Sequence, residues 1–202
     1  MLLQYLDNPL LLFASVVALT LAISVHEFAH ALAADKLGDL TPRYQGRLTL
    51  SPLAHLDLVG TLMILIAGFG WGKPVQFNPW GLKNPRRDSA LISIAGPVSN
   101  FATALLLAIV YKFVPSPGNL FLLPIIILNI NLGLFNLIPI APLDGFKVIE
   151  GLLPKALALQ WRGLERYGFL FLIFLIFPIF GASLIGLILL PVQRSVLELL
   201  LR

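Results

Sequence analysis

The residues best placed to do chemistry form one short motif, His26-Glu27-Phe28-Ala29-His30. Two histidines four positions apart project from the same face of a helix, about one turn apart, so their neutral imidazoles can bind one zinc ion. The glutamate between them stands beside that ion, where it can act as a general base toward water. The HExxH spacing therefore predicts zinc-dependent hydrolysis.

The composition around this motif favours a functional site over a chance match. Of the 202 residues, 58% are hydrophobic and only 12% are charged, whereas a soluble domain carries roughly 25% charged residues. The motif lies in an apolar run, residues 9–34, that holds no lysine or arginine before the second histidine. An ionisable group at the centre of a bilayer costs at least about 2.5 kcal/mol, so such groups are normally functional. The alternative, a chance HExxH on a solvated helix, is disfavoured by this setting.

The turn around Asp144 supplies the best candidate for a third metal ligand. A catalytic zinc ion needs three protein ligands and leaves its fourth position to water. Asp144 follows an uncharged apolar run, in a turn where Pro142 ends the helix and Gly145 permits a sharp bend. An aspartate that only hydrogen-bonds to its own turn is the alternative. We predict the ligand, because the histidine pair alone is an incomplete site.

Three further polar side chains are candidates for secondary roles. Asn136 lies eight residues before Asp144, where its amide can stabilise an oxyanion, and a contact between helices is the alternative. His55 lies in a loop out of register with the HExxH pair, so we expect a hydrogen-bonded loop histidine rather than a ligand. Asn100 follows Gly96-Pro97 at the spacing of a helix contact, and we expect it to bridge helices.

The elements that must position these residues are membrane helices. We predict an all-α polytopic membrane protein, one helical bundle over residues 1–202 with a small strand-like or re-entrant insertion after the first transmembrane helix. Four runs are long enough to cross a bilayer, which takes about 20 residues: residues 9–34, 89–114, 119–140 and 167–190. The last of these is expected to bend at Pro178.

The insertion and the tail are shorter segments. Residues 47–50, Arg-Leu-Thr-Leu, alternate polar and apolar side chains, which favours a short strand. Residues 58–69 are apolar but too few to cross comfortably, so we expect a re-entrant or short helix. Residues 191–202 are typical of a short amphipathic helix.

The basic residues and the depth of the ligands predict the topology. The net charge of +4 comes from lysines and arginines in the short loops between apolar runs, which marks cytoplasmic loops rather than a nucleic-acid surface. His26 lies about 26 Å along the helix from Pro9, close to the far face of a bilayer core of about 30 Å. Asp144 must reach the same face to share its ion. Residues 58–69 therefore cannot cross fully.

The two chemical motifs resemble those of the site-2 protease family of intramembrane zinc metalloproteases. The resemblance rests on the HExxH motif and on residues 135–145, Phe-Asn-Leu-Ile-Pro-Ile-Ala-Pro-Leu-Asp-Gly. Weaker similarity runs through residues 46–55, 71–75, 84–87 and 95–100. The sequence departs from the family at Ala141, where many relatives have a second proline, and it has no PDZ-like insertion between the spans.

The resemblance implies an endopeptidase that cuts transmembrane segments of other proteins near the cytoplasmic face. His26, His30 and Asp144 would ligate one zinc ion, Glu27 would activate water, and Asn136 would contact the substrate or its oxyanion. The implied partners are a transmembrane protein substrate and the lipid bilayer, with no nucleic acid. The implied location is the membrane of a prokaryotic cell.

Two other functions stay open at this point. One is a catalytically inactive, zinc-binding membrane chaperone of the same fold. The other is a transporter that uses the histidines as a proton or metal relay. Many transporters are built from inverted repeats. The sequence shows none, so a transporter ranks below the protease and the chaperone.

Overall fold

A computed structural model describes residues 8–67, 71–116, 118–177 and 183–202. These residues are mostly helical, and no strand occurs among them. The α-helices within the described ranges are α1 (Pro9–Leu37), α2 (Thr41–Tyr44), α3 (Pro52–His55), α4 (Leu58–Ala67), α5 (Pro85–Tyr111), α6 (Leu122–Asn136), α7 (Asp144–Leu152), α8 (Lys155–Arg162), α9 (Glu165–Ile176) and α10 (Leu184–Leu201).

Helix α1 has clear start and stop signals in the sequence. The side chain of Asn8 accepts the Leu11 N–H at 3.2 Å, and Pro9 occupies the first turn, where its missing N–H costs nothing. Gly38 ends the helix in the left-handed conformation, with φ of 107°. The 29 residues of α1 span about 44 Å, which exceeds the thickness of a bilayer core.

Three of the described helices, α1, α5 and α10, are long and apolar enough to cross a membrane, and the chain is a multi-pass membrane protein. The predicted span over residues 119–140 corresponds to a 3₁₀ turn, Gly118–Phe121, followed by the shorter apolar helix α6 of 15 residues. Helix α4 has ten residues, about 15 Å, and is too short to cross.

The C-terminal elements differ from the prediction. The expected span over residues 167–190 is divided between α9 and α10, and the expected bend at Pro178 lies outside the described residues. The expected tail helix over residues 191–202 is wrong in its start, because α10 already begins before Pro191 and contains it. Ser183 explains the new start, since its side chain accepts an N–H of the first turn and caps the helix there.

The predicted strand over residues 47–50 is also wrong, since these residues form a bend and irregular backbone. In a strand with this alternation, the apolar side chains would be buried and the polar ones exposed. The opposite is found, since Arg47 is 6% exposed and Leu50 is 56% exposed. The Arg47 guanidinium donates to the carbonyl oxygens of Ala54 and Lys73. Because this cation satisfies carbonyls from two other segments, it is drawn inward and the strand pattern is lost.

The core lies between α1, α5 and α6, where small residues let the helices approach. Ala104 and Ala108 of α5 pack with Ile126 and Ile130 of α6, and the end of α10 covers them. Near the C-terminal end of α1, a second cluster joins α1 to α5 and to the loop before α5. The HExxH motif lies on this part of α1, so α5 and that loop are its neighbours.

Candidate metal centre

Three side chains from distant parts of the chain converge at the end of α1. The Nε2 atoms of His26 and His30 lie 3.0 Å apart, and Asp144 Oδ2 lies 3.1 Å from the first and 3.2 Å from the second. Both histidines are buried and the aspartate is half-buried. The structure thus brings together the three residues that the sequence nominated as ligands, and their ligand atoms form a group that can hold a metal ion.

The partners of the other ring nitrogens show which atoms face the cluster. His26 Nδ1 lies 2.6 Å from Asn100 Oδ1, and His30 Nδ1 lies 2.7 Å from the Ile92 carbonyl oxygen. Both partners only accept hydrogen bonds, so in neutral imidazoles each Nδ1 carries the proton. The two Nε2 lone pairs then meet the Asp144 oxygen with no proton between them. Three acceptors in such a small space repel one another unless a cation lies among them.

The donor set also fits a transition metal. Two imidazole nitrogens and one carboxylate oxygen are ligands that zinc uses. Ligands at about 2.0–2.1 Å from a tetrahedral ion lie roughly 3.3 Å from one another, close to the 3.0–3.2 Å found between these atoms.

A tight turn between α6 and α7 aims Asp144 back at the bundle. Residues 137–143 reverse the chain, and Asp144 is the first residue of α7. The turn closes onto Gly145, where an added Cβ would overlap the Leu137 carbonyl and lie 2.6 Å from the Ile138 oxygen. Glycine is required here because no side chain fits.

Gly96 of α5 brings a helix backbone directly against the two imidazoles. A Cβ at this position would lie 2.5 Å from His30 Nε2 and 2.6 Å from His26 Nε2. Real Cβ atoms do not approach other atoms so closely, so only glycine leaves the ligand atoms their space. The sequence predicted Gly96 as a helix contact. Its place against the candidate ligand atoms is a role that sequence reasoning missed.

Glu27 lies beside the cluster with its carboxylate held by a loop. The Val75 N–H donates to Glu27 Oε2 at 2.8 Å. Glu27 shares a cavity of about 140 Å³ with the three ligands, with Asn136 and with Lys147. Asn136 Nδ2 donates to the Leu132 carbonyl of its own helix at 3.0 Å. All five predicted site residues therefore line one cavity.

Lys147 is a second residue that the sequence analysis did not single out. It lies on α7 three residues after Asp144, so helical periodicity places it on the same face. Its Nζ lies 4.7 Å from the centre of the Phe77 ring, a cation–π distance. The spacing from Asp144 was the signal in the sequence.

His55 is hydrogen-bonded, as the sequence predicted, but it ends the short helix α3 and does not lie in a loop. It is fully buried, and its Nε2 lies 2.7 Å from the Thr49 carbonyl oxygen. Its own carbonyl accepts the Lys73 N–H at 2.7 Å, next to an antiparallel bridge between Leu56 and Gly72. His55 therefore fastens the start of the loop that reaches Glu27.

Asp39 fastens the other end of the same loop, and the sequence analysis did not notice it. The side chain is buried, and its Oδ2 accepts the Asn78 N–H at 2.6 Å. Its Oδ1 accepts both the N–H and the hydroxyl of Thr41. With both ends of the loop tied down, Val75 presents its N–H to Glu27 from a fixed backbone.

Asn100 bridges helices, as predicted, and also contacts His26, one of the candidate ligands. It is fully buried, and its Nδ2 donates to the Ala22 carbonyl at 3.1 Å and to Asn129 Oδ1 at 2.9 Å. These bonds turn Oδ1 toward His26 Nδ1. A partner of this kind fixes the tautomer and direction of a ligating histidine.

Replacing Asn100 with leucine is therefore expected to weaken metal binding about 10- to 100-fold. The leucine keeps the volume but removes the acceptor for His26 Nδ1. Competition with a coloured chelator measures the affinity of the purified chain. Thr103→Val is the matched control, because the Thr103 hydroxyl donates to the Ser99 carbonyl one turn back on the same helix. Equal affinity in Asn100→Leu and wild type would contradict the orienting role.

Comparisons with known proteins agree with this chemistry. The chain is 42% identical over 189 residues to "Putative zinc metalloprotease YwhC" of Bacillus subtilis, covering 87% of this chain and 86% of the relative. It is 34% identical over 139 residues to "Putative zinc metalloprotease Rip2" of Mycobacterium tuberculosis, covering 64% of this chain and 53% of the relative. It is 26% identical over 155 residues to "Zinc metalloprotease MJ0392" of Methanocaldococcus jannaschii, covering 76% of this chain and 38% of the relative. No family model and no solved structure matches the sequence.

Proposed function

Because the chain belongs to the site-2 protease family of zinc metalloproteases, we propose that it is an intramembrane endopeptidase that hydrolyses transmembrane segments of other proteins near the cytoplasmic face. One observation carries the proposal. Two buried histidines of a membrane helix and one aspartate meet within bonding distance of a shared ion, next to Glu27. Residues 1–202 act together as one membrane-embedded domain.

In this proposal His26, His30 and Asp144 hold one zinc ion. When bound, zinc polarises the scissile carbonyl and lowers the pKa of a water molecule toward about 7. Glu27 removes a proton from the attacking water and delivers it to the leaving nitrogen. The Val75 N–H fixes the direction of the Glu27 carboxylate for both transfers.

Asn136 is proposed as the donor that stabilises the oxyanion. Its amide lies in the wall of the same cavity as Glu27 and Asp144. To serve there, Nδ2 exchanges its bond to the Leu132 carbonyl for one to the substrate. Donors of this kind contribute about 2.7–4 kcal/mol to transition-state stabilisation.

The substrate must unwind before it can be cut. A transmembrane helix satisfies its peptide groups internally, which hides each scissile bond from water and from Glu27. The fixed loop around Val75 supplies a neighbouring backbone beside which an unwound segment can lie. A bond near the end of a substrate helix is therefore cut more easily than one at its centre.

Metal removal provides the direct test. We expect a chelator, or the substitution Asp144→Asn, to reduce cleavage of a single-span test substrate by at least about 100-fold, because the metal supplies the main electrostatic stabilisation. Mass spectrometry of the products from purified chain in detergent locates the cut, and added zinc should restore the chelated wild type. Asp35→Asn is the matched control, since Asp35 pairs with Arg43 near the end of α1 and does not line the cavity of the candidate metal centre. Cleavage that survives both treatments would remove the proposed mechanism.

A further inference from the structure

A second cavity of about 380 Å³ lies next to the cavity of the metal centre. Its lining consists of Gln45, Arg47, Lys73, Pro74 and Gln76. Pro74 lines both cavities, so the two share a wall. The volume falls in the range of about 300–1,000 Å³ that is typical of ligand sites. We call this space the basic cavity.

The lining of the basic cavity is polar and positively charged. It holds two cations and two carboxamides, and none of its lining side chains is acidic. The Arg47 guanidinium is buried and donates to the carbonyl oxygens of Ala54 and Lys73. This cation is held in place, while the Lys73 side chain is exposed and free to meet a ligand. A concave surface with one sign of charge concentrates ligands of the opposite sign.

The wall between the two cavities is fixed on both sides. The Lys73 N–H donates to the His55 carbonyl at 2.7 Å, and the Lys73 carbonyl accepts from Arg47. Two residues later, the Val75 N–H donates to Glu27. An extended substrate segment advances about 3.3 Å per residue. Substrate residues close to a peptide bond held at Glu27 therefore reach the basic cavity.

We propose that the basic cavity binds an acidic side chain of the substrate, near the bond that is cut. The proposal rests on the proposed function and adds a charge preference to it. A lipid phosphate carries the same charge, but the shared wall beside Glu27 favours a segment of the substrate. Lys73 supplies the mobile charge, Arg47 supplies the fixed one, and the two glutamine amides can donate to the same carboxylate.

Charge exchange tests the preference. Aspartate, asparagine or lysine is placed in turn at each position flanking the cut in a single-span test substrate. At one or more positions, wild type is expected to cleave the aspartate substrate about fivefold more efficiently than the asparagine one, the scale of a partly exposed ion pair. Lys73→Glu should reverse the order in favour of lysine, a change in the ratio between substrates that a general loss of activity would not produce. Lys83→Glu is the control, since Lys83 is an exposed lysine of the same connecting segment outside the cavity lining.

A binding measurement keeps this result separate from the proposed activity. Fluorescence anisotropy with labelled aspartate and asparagine peptides gives the affinity ratio on the full chain whether or not it cleaves. A ratio near one at every position, or an equal loss for both peptides in Lys73→Glu, overturns the proposal. The effect of Lys73→Glu could instead depend on the content of anionic lipid in vesicles and not on peptide charge. That result would assign the cavity to lipid and would also overturn the proposal. A charge-dependent affinity without cleavage would retain this site and reject only the protease.

Discussion

Replacing Glu27 with glutamine is expected to lower cleavage about 10²- to 10⁴-fold, the usual contribution of a general base, while the chain keeps its metal. Glutamine has the same shape, and its carbonyl oxygen can still accept the Val75 N–H, so the loop stays in place. The proton acceptor for water is lost. Because the ligands His26, His30 and Asp144 are untouched, metal content measured by mass spectrometry should match wild type.

This experiment also decides between the protease and the alternative of an inactive, metal-binding membrane chaperone. Loss of cleavage with retained metal is the pattern of an enzyme. Wild-type chain that holds the metal but cuts no transmembrane segment would support the chaperone. Cleavage by Glu27→Gln at the wild-type rate would show that another group takes the proton. Glu165→Gln, a change at an exposed carboxylate at the start of α9, controls for loss of negative charge.

The three candidate ligands could be predicted from the sequence because each leaves a local signal. The histidine pair follows from helical periodicity, and the apolar run around it makes the ionisable groups conspicuous. Asp144 stands out because a Pro-Gly turn interrupts an uncharged segment. The meeting of the histidine pair with Asp144 depends on contacts between residues far apart in the sequence. It could be predicted only from the argument that both must lie at the same depth in the bilayer. The 3.1 Å between His26 Nε2 and Asp144 Oδ2 is the outcome of that packing.

The surroundings of the ligands could not be predicted in the same way. Val75 contributes a backbone N–H, and a backbone group leaves no trace in residue type. Asp39 looks like an ordinary loop aspartate until the fold brings Asn78 beside it. The strand over residues 47–50 failed for a similar reason, because the carbonyl groups that draw Arg47 inward belong to segments 7 and 26 residues away. Side-chain alternation reports a local preference, which tertiary contacts overrode.

Gly96→Ala is expected to remove most of the bound metal and at least about 100-fold of the activity, since the metal supplies the main electrostatic stabilisation. The added Cβ would lie 2.5–2.6 Å from both Nε2 atoms, so either α5 or the imidazoles must move. Alanine favours a helix over glycine by about 1 kcal/mol, so α5 itself should form at least as well. Metal content, circular dichroism and cleavage, measured on one preparation, separate these effects: helicity stays while metal and activity fall.

The control for this substitution is another buried glycine of an apolar helix. At Gly133 of α6, the three atoms nearest to an added Cβ would all belong to the ring of Phe101, at 3.0–3.3 Å. Gly133→Ala should therefore retain its metal, even if the ring has to shift. Full metal content and activity in Gly96→Ala would mean that the close approach of α5 is not a constraint on the site. Loss in Gly96→Ala alone would show that the backbone of α5 shapes the space in which the ion is held, a role that neither the HExxH motif nor the Asp144 turn reveals.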